Sequence, residues 1–192
     1  MEHLPNIRSN PFGDRPVVHP SSYIDPAAQL IGNVHIDQDV FVGPLAVLRA
    51  DEPGPDGRVK PIMIQAGVSI QDLVVIHSRG GASVLIGEET SVAHSVVIHG
   101  PCEIGRSCFL ALRTCLYSAT LEDGVWLGIG SIVMRTTVPS HTMIPAGSVV
   151  SSDADVSRFR VTNYREQNYQ HEVWSVSSLL RDEYLKNRKY GS

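Results

Sequence analysis

Three histidines stand close together near the middle of the chain, at His77, His94 and His99. Other polar residues that break the surrounding aliphatic pattern are Arg49, Asp51, Gln71 and Asp72. Three imidazole ligands with one open coordination position are typical of catalytic zinc, and the same ligands also suit iron(II) or cobalt(II). The residue types therefore predict a metal centre that can activate water.

The elements that must position these side chains follow a period of six. Aliphatic residues recur at that spacing to about residue 150, as in the run Ile86, Val92, Ile98, Ile104, Leu110 and Leu116. The residue four positions after each aliphatic is small or β-branched, and turn-forming residues cluster between them. A short strand and a tight corner, repeated three times per coil, produce this period. The sequence therefore predicts a left-handed parallel β-helix built from hexapeptide repeats.

The chain is expected to be all-β with a C-terminal α-helix. From Asn163 to Lys186 the pattern becomes helical, with Val173, Val176, Leu180 and Tyr184 on one face. The predicted divisions are an extended N-terminal lead-in over 1–20, the β-helix over 21–152, and a linker with a helix that packs on the β-helix over 153–192.

Composition narrows the function classes. The formal net charge of −4 gives no reason to expect nucleic acid or an anionic membrane as a partner. No apolar run is long enough to span a bilayer and no signal peptide is evident, so we expect a cytoplasmic protein. Cys102, Cys108 and Cys115 are an odd number without CxxC spacing, which predicts buried thiols.

The repeat register predicts which histidines meet. His77 follows Ile76 and His99 follows Ile98, so both point outward on one face, one coil apart. Stacked strands lie ~4.8 Å apart, which lets two imidazoles share an ion. His94 belongs to the preceding face, and a third ligand can instead come from a neighbouring subunit. Three-fold closure would then give a homotrimer with intersubunit metal sites.

Plainer interpretations of the same residues remain open at this point. The stacked histidines can be purely structural. The side chains of Arg49 and Asp51 can form an ion pair that only holds subunits together, and Glu52 can be a solvated loop residue.

At these residues the chain resembles the gamma-class carbonic anhydrases. The matching pieces are Leu48 through Glu52, Ile70-Gln71-Asp72, Val75-Ile76-His77, and His94 through Pro101. The likeness covers most of the chain and is greatest to the branch that contains the archaeal enzyme and the N-terminal domain of the β-carboxysome scaffold protein.

The resemblance implies a lyase that hydrates carbon dioxide reversibly to bicarbonate with a metal-bound hydroxide. His77 and His99 of one subunit and His94 of the next would hold the metal. Gln71 would orient the reactants and Asp72 would support the site. Arg49 and Asp51 would pair between subunits, and Glu52 is the candidate proton shuttle.

The sequence departs from the archaeal pattern at three places. Ser69 and Ser177 stand where that enzyme has asparagines, and the loop from Ser78 to Val84 lacks its acidic insertion. These differences keep three alternatives in view: a metal-dependent hydrolase or lyase on another small substrate, a non-catalytic trimeric scaffold with a vestigial site, and a hexapeptide acyltransferase. In the first of these, Arg79 near the metal could favour an anionic substrate. The acyltransferase is disfavoured because one general base does not need three histidines.

Overall fold

The six-residue period becomes three strands per coil in the computed structural model, which describes residues 6–190. Residues 1–5 of the predicted lead-in and 191–192 of the C-terminal segment lie outside the described residues. The strands form three parallel sheets that stack as about seven coils, so the predicted left-handed β-helix is confirmed.

The first sheet carries both stacked histidines. Its eight strands, in order across the sheet, are β1 (Ile7–Arg8), β4 (Gln29–Gly32), β7 (Val47–Ala50), β10 (Val75–Ser78), β13 (Val97–Gly100), β16 (Cys115–Tyr117), β19 (Ile132–Met134) and β22 (Val149–Val150). Adjacent strands belong to successive coils.

The other two sheets have seven strands each. The second contains β2 (Val17–Val18), β5 (Val34–Ile36), β8 (Ile62–Ile64), β11 (Val84–Ile86), β14 (Cys102–Ile104), β17 (Thr120–Leu121) and β20 (Thr137–Val138). The third contains β3 (Tyr23–Ile24), β6 (Phe41–Val42), β9 (Ser69–Ile70), β12 (Ser91–Val92), β15 (Phe109–Leu110), β18 (Trp126–Leu127) and β21 (Met143–Ile144).

The aliphatic positions of the repeat fill the interior of the prism. Ile76 pairs in register with Leu48 on one side and Ile98 on the other, and all three side chains are fully buried. Burying one such side chain contributes about 1.5–3 kcal/mol. This column of buried aliphatic side chains therefore stabilises the strand register, and the same register aligns the outward-facing residues that follow them.

Two short strands lie inside the segment that we expected to be a lead-in. β1 pairs with β4 and β2 pairs with β5, so residues 7–18 already extend the first two sheets. Val18 stands six residues before Ile24, so the period had marked this position. The β-helix therefore begins earlier than the predicted boundary at residue 21.

The C-terminal segment forms a short helix, α1 (Asp153–Val156), and a long one, α2 (Tyr164–Tyr190). Asn163 caps α2: its side chain accepts from the Arg165 N–H, while Glu166 accepts from the Asn163 N–H. Neither described helix has both the length and the apolar character that crossing a bilayer requires.

The face that α2 turns towards the β-helix matches the predicted one only in part. Tyr184 stacks on Tyr23 with ring centroids 4.8 Å apart, and Val173 is half-buried. Val176 and Leu180 are exposed, so the prediction is wrong at these two positions.

Polar groups of α2 make the other contacts with the β-helix. Trp174 and Arg181 donate hydrogen bonds to the carbonyls of Gly67 and Asp39. Long side chains that carry a donor satisfy these corner carbonyls.

The cysteines are free thiols. Cys102 and Cys108 are buried and Cys115 is half-buried. Burial raises the pKa of Cys108 to about 12, so this thiol stays protonated and unreactive at neutral pH.

Candidate metal centre

His77 and His99 face each other across two adjacent strands of the first sheet. β10 and β13 pair in parallel with His77 directly opposite His99, and the ring centroids are 5.4 Å apart. The buried partners Ile76 and Ile98 force both imidazoles outward. The hydrophobic register alone thus brings two of the three predicted ligands together.

Each ring has a buried nitrogen without a hydrogen-bond partner among the described residues. These atoms are Nε2 of His77 and Nδ1 of His99. Burial, followed by the nearby Arg49 guanidinium, lowers the pKa of His77 and favours its neutral form. A buried imidazole nitrogen that makes no hydrogen bond can serve as a ligand of a divalent metal, and the lowered pKa of His77 favours the deprotonated ring that metal binding needs. The two residues therefore fit a metal.

Two carboxylates lie beside the His77 ring. Glu52 Oε1 is 3.4 Å from His77 Nε2, and Asp51 Oδ1 is 3.6 Å from it. The other oxygen of Glu52 accepts a hydrogen bond from the Gly80 N–H at 3.1 Å. The predicted shuttle residue is therefore anchored at one oxygen and directed at the histidine pair with the other.

Arg49 occupies the position next to His77 on the other side, because β7 pairs with β10. Its Nη1 lies 2.8 Å from Asp51 Oδ2, so these two side chains form an ion pair within one chain. The resemblance assigns this pair to a subunit interface. The single chain already satisfies it internally, since Asp51 directly follows β7 and stands two residues after Arg49.

His94 lies at a different place, in the corner between β12 and β13. Its Nδ1 is 3.3 Å from Asp72 Oδ2, in the equivalent corner of the previous coil. The His94 side chain is 48% exposed, against 13% for His77. Within residues 6–190 no three potential ligand side chains converge on one ion, so one chain supplies the pair and the single histidine separately.

Gln71 belongs to the same corner as Asp72. Its Nε2 donates to Ser69 Oγ at 2.7 Å and to Ser177 Oγ at 3.0 Å. The two serines that the sequence marked only as departures from the family pattern therefore both contact the predicted orienting residue.

Tyr117 is a neighbour of the centre that the sequence analysis missed. β16 continues the first sheet with Tyr117 opposite His99, and the two rings stack at 5.4 Å with an interplanar angle of 27°. The Arg135 guanidinium lies 5.4 Å from the Tyr117 ring centroid. The signal was available, since Tyr117 follows Leu116 as His99 follows Ile98.

Exposed apolar side chains run along the corner that carries His94. Leu45, Leu73, Leu112 and Ile129 lie at this corner in the neighbouring coils, and Val75 and Val97 begin the adjoining strands β10 and β13. Leu45 and Leu73 adopt positive φ angles of 60° and 62°, which are unfavourable for leucine. Such a row on an aqueous surface is typical of a protein–protein interface.

Comparison with known proteins adds two curated relatives. The chain is 30% identical over 177 residues to the carbonic anhydrase of Methanosarcina thermophila, an alignment that covers 82% of this chain and 72% of that enzyme. It is 28% identical over 172 residues to the carboxysome assembly protein CcmM of a Nostoc species. That alignment covers 88% of this chain but 31% of CcmM, so the chain spans less than a third of that relative's length.

Solved structures support the fold. A hexapeptide transferase family protein from Anaplasma phagocytophilum superposes with a TM-score of 0.78 over 93% of this chain and 97% of its own. The two are 23% identical, so this similarity concerns architecture alone. No protein-family model matches the chain.

Proposed function

The chain belongs to the gamma-class carbonic anhydrase family, and from that premise we propose that it is a metal-dependent carbonic anhydrase. The reaction is the reversible hydration of carbon dioxide to bicarbonate, at sites between the subunits of a homotrimer. One observation carries the proposal: the in-register pair His77 and His99, each with a buried nitrogen that makes no hydrogen bond among the described residues.

The residues of the first sheet would hold the metal and handle the proton. Zinc, or alternatively iron(II) or cobalt(II), would lower the pKa of a water molecule that it binds to about 7 and so make hydroxide available at neutral pH. Glu52 lies beside the pair and is about half exposed. It can accept a proton on Oε1 and pass it to solvent while the Gly80 N–H keeps its position.

The corner residues would complete the centre from a neighbouring subunit. Asp72 Oδ2 lies 3.3 Å from Nδ1 of His94 and would hold that nitrogen as a donor, which would leave Nε2 available to a metal. Gln71 would orient the reactants through its side-chain amide. The exposed apolar row on this corner supports a trimer, because its burial would bring His94 onto another chain's surface.

A two-stage experiment tests the proposal. Protein purified without oxygen is first analysed for metal, with one ion per subunit expected and retention lost in His94→Ala. Stopped-flow measurement of carbon dioxide hydration follows on the loaded protein. Full metal occupancy without hydration above background would reject the carbonic anhydrase assignment and favour a non-catalytic trimer or another small substrate.

A further inference from the structure

The long C-terminal helix reaches the corner of the β-helix through one buried hydroxyl. Ser177 is 4% exposed, and its Oγ accepts a hydrogen bond from Gln71 Nε2 at 3.0 Å. The same nitrogen donates to Ser69 Oγ on β9 at 2.7 Å. Both protons of the Gln71 amide are therefore engaged, one by the third sheet and one by the helix that covers it.

A third hydrogen bond determines the direction of the contact with the helix. Ser177 Oγ lies 3.0 Å from the carbonyl oxygen of Val173, one helical turn earlier, and that oxygen can only accept. A hydroxyl has one proton, and here Ser177 donates it to the Val173 carbonyl and meets Gln71 as an acceptor. The group of Gln71 that faces Ser177 in this arrangement is the NH₂ group.

We infer that Ser177 is a positioning residue. Because its hydroxyl donates to the Val173 carbonyl, it presents a lone pair to Gln71, holds the NH₂ group there and leaves the amide oxygen Oε1 available. The Gln71 Oε1 atom makes no hydrogen bond within residues 6–190 and remains an acceptor. The inference rests on the proposed function, in which a fixed acceptor would orient a reacting water. The helix is then part of the centre as well as a cover for the third sheet.

Ser69 does not select one orientation of the Gln71 amide. Its hydroxyl makes no further hydrogen bond within the described chain, so its proton is uncommitted and the group can either donate or accept. An amide turned around would still satisfy Ser69 but would require Ser177 to give up its hydrogen bond to the Val173 carbonyl. Only the helix residue therefore selects one orientation of Gln71.

Ser177→Ala tests this assignment, with Ser175→Ala as its matched control. Ser175 makes the same type of bond, to the His171 carbonyl at 2.8 Å, and is exposed. We expect Ser177→Ala to lower kcat about tenfold with KM and metal content unchanged, because one positioning hydrogen bond is lost. Ser177→Asn should restore most of kcat, since its amide can accept from Gln71 while donating to Val173.

Two further variants separate positioning from packing. Ser69→Ala should lower kcat less than Ser177→Ala does. Ser91, in register with Ser69 on the next strand, has a buried hydroxyl without a partner among the described residues, so Ser91→Ala should leave kcat unchanged. Equal kcat values for Ser177→Ala and Ser175→Ala would overturn the inference.

A spectroscopic readout keeps this inference distinct from the proposed function. In ¹⁵N-resolved spectra the side-chain NH₂ protons of Gln71, assigned by their absence in Gln71→Glu, should exchange slowly with solvent in the natural protein. Ser177→Ala should accelerate that exchange and Ser175→Ala should not. If hydration is absent but this difference persists, the proposed function fails and the amide assignment stands; identical exchange in both variants overturns the assignment.

Discussion

The two halves of the proposed centre are built in different ways. The sheet half places His77 and His99 on paired strands, where backbone hydrogen bonds and buried neighbours hold both rings. The corner half places His94 and Asp72 in successive turns, where the two side chains lie 3.3 Å apart. His77 is largely enclosed, whereas about half of His94 is exposed.

In the proposed centre this difference is the reason why one half would need a partner subunit. A ladder of parallel strands repeats one outward position in every coil, so it can stack two ligands without further help. A corner presents single side chains that diverge from the adjoining sheet. The exposed apolar row beside His94 supports an assembly in which the histidine pair of another subunit would complete the centre. Complementation between inactive variants is the most direct test of this arrangement.

His77→Ala and His94→Ala should each reduce hydration to background, because each removes one proposed metal ligand. Refolding an equal mixture should restore activity, since an intact sheet half from one variant can meet an intact corner half from the other. Random association predicts about a quarter of the natural activity, as each of two conditions is met about half the time. Stopped-flow rates and metal content measure the recovery.

A mixture of His77→Ala with His99→Ala is the control for that experiment. Both changes lie in the sheet half, so every site in the mixture lacks a ligand and no activity should return. Recovery in this control, or its failure in the first mixture, would refute the division of the centre between subunits.

Leu73→Asp should separate the two halves while every histidine remains. Leu73 is 52% exposed at a φ of 62°, where aspartate is better tolerated than leucine, so the fold should persist. We expect monomers without hydration activity, measured by light scattering after gel filtration. Val161→Asp, at a side chain 68% exposed, is the matched control and should remain trimeric. A trimeric Leu73→Asp protein would contradict the assigned interface.

Glu52→Gln should affect the sheet half alone. Because the amide cannot accept the proton, kcat should fall about 10²-fold, while metal content stays constant and added imidazole buffer restores part of the rate. Glu88→Gln, at an exposed corner away from the histidines, should leave kcat unchanged. A Glu52→Gln enzyme with full kcat in dilute buffer would remove this residue from proton transfer.

Asp72→Ala should produce the smallest of these effects. His94 would lose the carboxylate that sets its tautomer, and metal affinity should fall about tenfold in a chelator competition. Asp123→Ala, which removes an exposed pair with Arg106 on another corner, provides the comparison. Unchanged affinity in Asp72→Ala would mean that His94 needs no orienting partner.

Much of the sheet half was predictable because it depends on a local rule. The period of six identified the buried aliphatic residues, and their register placed His77 opposite His99. The same rule would have found Tyr117 and the strand at Val18. The face of the long helix was predictable only in part: Tyr184 stacks on Tyr23 as an apolar face requires, but Val176 and Leu180 are exposed. Polar groups of the helix bond to corner carbonyls instead.

The sequence by itself determined the three-sheet prism and the stacked histidines, because side-chain alternation along a strand and the spacing of inward residues are local properties. The tertiary structure alone decided which distant segments meet. Gln71 and Ser177 stand 106 residues apart, and Glu52 and Gly80 stand 28 apart. No short pattern encodes such contacts, since they arise only when the helix and the loops pack against the finished prism.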